Sequence, residues 1–450
     1  DKLGSFNLAA GTGTWTEWHD NGAKALEMEM TAGQQSGQIT RWSDNGQKNF
    51  SADRKNGLRD GKFQSWYADG TLMAEHAYSQ GKRHGIQKEW YANGQPSAEQ
   101  NYVRGKKDGS WTSWHANAKK KSTHGYELGK RSGTWADWYE NGKQQSEITY
   151  NKSVKVGAVK EWHENGRPKL EEHYDQGKKI GVWKTWYENG QSKSVENFVA
   201  GRRSGISTKG YENGKTKGEE AYVDGRPSGR WSRWAETGTP IAVESYKAGD
   251  RHGEEQTWHA NGKPKSTGSY VDGKKEGKWT SWYKSGQVQA VSLYVKGQEQ
   301  GAYAEWHENG NKAVEGELTT DTSGDAPKAE PTGKWSTWHD NGSKATEIDY
   351  GKMTATFADP AGKPWLTVEH QDGKWFDSLN TAFISLQLKK GRAHGKWQYT
   401  RPGGKKVKLI SFKNGLREGP TTSWHPTGSV AKEGSYKSNL RHGTWVEWDR

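Results

Sequence analysis

Not one of the 450 residues is cysteine, which excludes disulfide staples and thiolate metal sites and leaves the redox compartment open. Proline is scarce at 12 residues, too few for a Pro-rich linker or a collagen-like chain. Hydrophobic residues make up only 30%, so a conventional Leu/Ile/Val core is not expected. No stretch approaches the roughly 18 to 20 consecutive apolar residues that span a bilayer, and no charged, apolar, small-residue leader opens the chain. The chain therefore reads as soluble, and its start at Asp1 reads as a processed or trimmed form. What it does have is 58 glycines and 26 tryptophans. Aromatics at 12% are far more than a disordered chain carries, so it is expected to fold by packing aromatics.

A frame G-x-W-x-x-W-x-x-N-G begins at Gly13 and returns every 24 residues through Gly37, Gly61 and onward to Gly301. After an insertion within "TTDTSGDAPKAEPT" it resumes at Gly333, passes through shortened units at Gly351 and Gly373, and recovers at Gly395, Gly419 and Gly443. This divides the chain into continuous repeats over 1–318, an insertion loop or linker at 319–332, and a second block over 333–450. Its degenerate stretch, 351–394, contains "FISLQLKK" and is the one region that looks specialised.

Each unit reads as a β-hairpin. Asn-Gly, as at Asn141-Gly142, suits a two-residue type I′ turn. With that turn Trp138 faces Gln145 and Ala136 faces Glu147 on one side of the sheet, while Trp135, Tyr139 and Tyr150 lie on the other. Taking the basic "GKxx" corner as the turn between units places Tyr126 opposite Trp135, Tyr174 opposite Trp183, Tyr222 opposite Trp231 and Tyr270 opposite Trp279. The expectation is an all-β, elongated, single-layer antiparallel meander held by a Tyr-Trp ladder, coiled or twisted. About 37 strands at roughly 4.8 Å each would extend on the order of 180 Å before twist shortens them. The first Trp of the frame alternates with other residues (Trp135, Val159, Trp183, Ser207), which suggests a 48-residue super-period.

Units such as "GVWKTWYENGQSKSVENFVAGRRSG" and "GKWTSWYKSGQVQAVSLYVKGQEQG" resemble MORN-variant repeats, tandem hairpins of bacterial proteins often described as antitoxin-like. The resemblance covers nearly the whole chain from about residue 6. It implies an extended sheet used for scaffolding, for binding proteins or lipids, or as a toxin-neutralising partner, and it does not imply catalysis. Heavy use of Trp sets this chain apart from that pattern.

Net charge is +13, and paired cations occupy equivalent corners: Lys82-Arg83, Lys106-Lys107, Lys130-Arg131, Lys178-Lys179, Arg202-Arg203 and Lys274-Lys275. They form a candidate ridge for an anionic polymer or membrane surface. The same residues also keep tight turns solvated and discourage edge aggregation. Because 54 acids interleave with 67 bases, a nucleic-acid groove is not expected. His19, His115, His163 and others fill a slot where further units carry Tyr67, Tyr91 or Tyr139, which points to packing and not to a metal. No nucleophile elbow, P-loop or isolated carboxylate pair appears, so neither an enzyme nor a cofactor is expected.

Phe6 falls in the tyrosine slot, and Trp445 and Trp448 lie on a first strand without its second. Each end reads as half a hairpin, which suggests head-to-tail self-association. The sequence thus points to a non-enzymatic extended scaffold, exported, periplasmic or on a bacterial cell surface, with a cytoplasmic place as the alternative. Competing roles are an antitoxin- or immunity-like protein-binding module, or an aromatic-rich glycan binder.

Overall fold

The computed structural model describes residues 5–321, 328–358, 360–371, 374–377, 383–389, 392–401 and 404–449. All regular elements among them are β-strands, most of eight or nine residues, each antiparallel to its neighbours in the chain. Alternating Thr, Trp, Ile and Tyr suit such a pleated surface.

The hairpin of Gly133–Trp138 with Gln144–Asn151 shows how a unit is built. Gly133 pairs with Tyr150, Trp135 with Ile148 and Ala136 with Glu147, the last as expected. Trp138 instead pairs with Gln144, because the register shifts by one between Asp137 and Trp138. The cause is the turn. Gly142 N–H donates to Tyr139 O and Tyr139 N–H to Lys143 O, and Gly142 lies at φ +88° while Asn141 keeps an ordinary φ. This is a type I turn closed by a glycine bulge, not the two-residue type I′ turn. Asn141 also serves it through its side chain, accepting Lys143 N–H at 2.9 Å.

The type I′ geometry sits at the other end of the unit. Leu128 (φ +46°) and Gly129 (φ +91°) connect the pair Glu127 and Lys130, and the same two left-handed residues recur at Ala32-Gly33, Gln80-Gly81 and Ala200-Gly201. After the corner a second bulge at Gly133 (φ +69°) re-aims the strand. Tyr126 consequently pairs with Arg131, Tyr174 with Lys179 and Tyr270 with Lys275, not with the tryptophans.

The chain forms two compact units, Asp1–Arg226 and Pro227–Arg450, dividing inside the first run of regular repeats. The first unit pairs strands in chain order as a single-layer meander, with a small apolar cluster at Leu26, Ile39 and Ala52. The second also pairs in order, but part of it packs on itself. Trp335, Ile348, Phe357, Val368, Ile384, Trp397 and Ile410 share one core, the Phe357 and Trp397 ring centroids are 4.9 Å apart, and Arg392 reaches Glu305 at 2.9 Å. That core uses the Ile, Val and Phe of the degenerate stretch 351–394, whose strands are Thr354–Ala358, Pro364–Gln371, Lys374–Asp377 and Phe383–Lys389. The insertion 319–332 lies within this unit. Its flanks lengthen a hairpin, Thr319 pairing with Glu330 and Asp321 with Lys328, and its middle lies outside the described residues.

Candidate functional site

The expected Tyr-Trp pairing holds at the level of the rings. Tyr126 and Trp135 centroids are 5.1 Å apart, Tyr174 and Trp183 5.2 Å, Tyr270 and Trp279 5.1 Å. Each Trp also meets the aromatic of its own unit, so Tyr102, Trp111, Tyr126, Trp135 and Tyr150 form one continuous row. Tyr222 and Trp231 fall in different units. Tyr222 accepts from Arg203 Nη1 at 3.3 Å, and Trp231 packs on Tyr246 at 4.9 Å. Burial, reinforced by the Glu172 carboxylate that takes its hydrogen bond, pushes the Tyr174 hydroxyl up to about 12.

The candidate basic ridge divides in two. Successive strand residues point to opposite faces, so only one cation of each corner can face the ladder. Lys107 and Lys179 each place Nζ 3.9 Å from a Trp ring (Trp111 and Trp183), and Lys275 lies 4.2 Å from Trp279. Arg131 lies over Trp135 and donates to Tyr150 Oη at 3.2 Å, and Arg83 does the same to Tyr102. Arg203 is further held by Glu196 at 2.9 Å. These inner cations are structural, each contributing about 0.5 to 2 kcal/mol. The outer ones, Lys82, Lys106, Lys130, Lys178, Arg202 and Lys274, are exposed along the corner edge.

Histidine and tyrosine share their slot because both reach the same acceptor. His19 Nε2 bonds Trp42 O at 2.9 Å, His115 Nε2 bonds Trp138 O at 3.0 Å, and Tyr91 and Tyr139 hydroxyls donate to Trp114 O and Trp162 O at 2.7 and 2.8 Å. Asparagine does likewise one step out: Asn141 Nδ2 donates to Glu164 O, and Asn165 Nδ2 to Glu188 O. Periodicity alone could have revealed this, since each of these acceptors lies 23 residues beyond its donor, and where a repeat is lengthened or shortened the interval follows, 31 from His307 and 19 from His339. Among the described residues no His, Asp and Glu group is arranged to hold a metal ion.

The opposite face carries the second Trp of most repeats. From Trp42 to Trp186 these indoles are half-buried, and Trp18 and Trp448 are exposed. The charged residues beside them neutralise each other: Lys24 with Glu27 at 2.5 Å, Lys62 with Glu75 at 2.7 Å. Lys88 stands opposite Glu99 as expected, at 3.9 Å. At the ends, Phe6 pairs with Trp15 along the backbone. Trp445 is taken up internally by Tyr436 at 5.0 Å and by Arg441, and Trp448 O accepts from His425. In the second unit a cleft of about 810 Å³ opens beside the core, walled by Trp338, Phe357, Trp397 and Phe412 with Arg392 and Arg417.

The MORN repeat variant matches this chain eight times, at residues 59–80, 83–104, 131–152, 155–176, 179–200, 251–272, 275–296 and 417–438. The chain is a tandem MORN-variant repeat protein. Each match begins on an inner cation (Arg59, Arg83, Arg131, Lys155, Lys179, Arg251, Lys275, Arg417) and ends on the first left-handed corner residue. One MORN-variant repeat is thus the stretch from corner to corner. No curated protein matches the chain. Among solved structures it is similar to the TcdB2-TccC3-Cdc42 structure, at 10% identity and TM-score 0.14 over 97% of this chain and 28% of that one. It is also similar to an alternansucrase in complex with isomaltononaose, at 13% and 0.14 over 71% and 23%. The chain spans less than a third of the length of either.

Proposed function

We propose that this MORN-variant protein is a non-enzymatic extended scaffold that binds through its repeated surface. One observation carries the reading: side chains suited to acid-base or nucleophilic work are occupied, repeat after repeat, in holding the next repeat. His115 and Tyr139 are bound to tryptophan carbonyls, Asn141 to the following turn, Arg131 to the aromatic row. What recurs toward solvent is the half-buried second tryptophan of the first unit and the exposed outer corner cations, offered once every two strands. Such a surface suits a long partner, a polymer or an extended protein, gripped by many weak contacts at once. A place at the cell surface, exported from the cytoplasm, suits that partner.

The experiment removes repeats in register. Deleting 109–204, four whole units, joins Asp108 to Gly205 within an unchanged corner pattern. Retention on heparin and on anionic liposomes at low salt is compared between parent, deletion and a Lys82→Glu/Lys106→Glu/Lys130→Glu variant. A repeat-binding scaffold loses retention with repeat number while the circular dichroism per residue is kept. Equal retention by parent and deletion would overturn binding through the repeats.

A further inference from the structure

In the first unit a tryptophan returns on one face every 24 residues from Trp18 to Trp186, eight in all, until Gly210 takes the position and ends the row. Consecutive members sit two strands apart, about 9.6 Å at the usual strand spacing. The residue two places earlier on the same face is small and buried at Thr40 (5% exposed) and Ala136 (7%). Beside them the indoles from Trp42 to Trp186 are half-buried, so part of each ring is open to solvent. Lys24 and Lys120 place Nζ 5.3 and 5.1 Å from the Trp42 and Trp138 rings, which restricts how the indoles turn. Gln64 and Thr112, both half-buried, supply polar groups between the platforms, and Lys24, Lys62 and Lys88 are offset by Glu27, Glu75 and Glu99.

That combination fits a neutral polymer with flat apolar faces and hydroxyl edges better than a polyanion. We infer that the Trp18–Trp186 face is the docking surface for a linear neutral polysaccharide of β-1,4-linked pyranosides. In such a chain successive sugars are flipped by half a turn, so the same sugar face recurs once per disaccharide, close to the interval between the tryptophans. Each indole stacks against the C–H face of one sugar, as aromatic rings do with flat apolar surfaces, and the polar groups meet the hydroxyls. A single platform binds weakly, and a row in step with its ligand gains from the high effective concentration of each next contact. This inference rests on the proposed binding role and names the ligand of one face.

The test uses the full chain with hydroxyethyl cellulose, cello-oligosaccharides of four and six sugars, and dextran as an out-of-step neutral glucan. In affinity electrophoresis the protein is expected to be slowed by hydroxyethyl cellulose and not by dextran. Calorimetry is expected to show at least tenfold tighter binding of the six-sugar ligand than of the four-sugar one. A Trp114→Leu/Trp138→Leu/Trp162→Leu variant should lose at least tenfold in affinity, while Trp111→Leu on the other face should not. Should the triple variant fail to fold, the parent alone still decides: hydroxyethyl cellulose should shield Trp114 and Trp138 from oxidation by N-bromosuccinimide, read by peptide mass spectrometry. No retardation, equal retardation by dextran, or no shielding would each overturn the inference. If heparin or liposome retention survives such a result, the repeat-binding role stands and only the glycan falls.

Discussion

Trp135 Nε1–H donates to the carbonyl of Gly125 at 2.8 Å, and the same oxygen accepts Ser132 N–H at 2.9 Å. The bulge at Gly133 creates this shared acceptor. The relation repeats from Trp111 to Asn101, Trp183 to His173, Trp279 to Ser269 and Trp397 to Gln387. Where Gln87 replaces the tryptophan, its Nε2 donates to the equivalent Ala77 O at 3.0 Å. Where tryptophan fills the position it supplies a donor as well as a ring, while Ile39 and Val159 fill it by packing alone.

Trp183 separates the two roles. Trp183→Ala removes a buried ring from between Tyr174 and Phe198 and is expected to cost about 2 to 4 kcal/mol. Trp183→Phe keeps much of the packing, loses the donor, and should cost about 1 kcal/mol more than packing alone. Hydrogen exchange should loosen around residue 183 and stay unchanged near Trp15, since each repeat touches only its neighbours. Uniform loosening along the chain would contradict this.

The 24-residue period, the hairpins and the facing aromatics were legible because they rest on residue type at fixed spacing. The turns were harder. Asn141-Gly142 carries the type I′ dipeptide but uses asparagine to bridge repeats, while the true type I′ corner is written Leu128-Gly129 or Ala32-Gly33, which advertises nothing. Strand alternation would have divided each pair of corner cations into inner and outer, had it been applied there. The fold-back that joins Glu305 to Arg392 was not legible, because spacing within a repeat says nothing about packing between sections far apart in the chain.

Ala118 takes the turn position where other units have glycine, and it sits at φ +66°. A Cβ in that region is strained by about 1 to 2 kcal/mol, while glycine's greater freedom when unfolded returns part of the difference. Ala118→Gly should raise stability by about 0.5 to 1 kcal/mol, read as a higher urea midpoint at an unchanged slope. A lower midpoint would contradict the strain.

The hydrogen bond from His124 Nε2 at 2.9 Å, helped by Ser146 against the opposing effect of burial, holds Asp137 below the usual carboxylate range. A depressed carboxyl contributes stability above its unfolded value, about 3.9, and loses it as pH falls through the folded one. Asp137→Asn should therefore be less stable than the parent at pH 7. The gap should narrow only below about pH 4. Urea melts at pH 7, 5, 3 and 2 measure it, and a gap independent of pH would exclude the carboxylate as its source.

Gly268 gives the sharpest test of the ladder. Its backbone is not left-handed, so an added methyl brings no conformational strain of that kind, yet that Cβ would lie 2.1 Å from Trp279 Cδ2. Gly316 under Trp335 and Gly434 under Trp445 repeat the arrangement at 2.3 Å, so glycine here is the floor on which an indole lies. Gly268→Ala must lift Trp279 away from Tyr270, from Lys275 and from its hydrogen bond to Ser269 O. Overpacking of this kind costs about 1 to 3 kcal/mol. The cause can be isolated in a double-mutant cycle: with Trp279→Ala already present the methyl has nothing to displace, so Gly268→Ala should then cost less than about 0.5 kcal/mol. If the full cost persists without the indole, the glycine is required by the backbone and not by the ring above it.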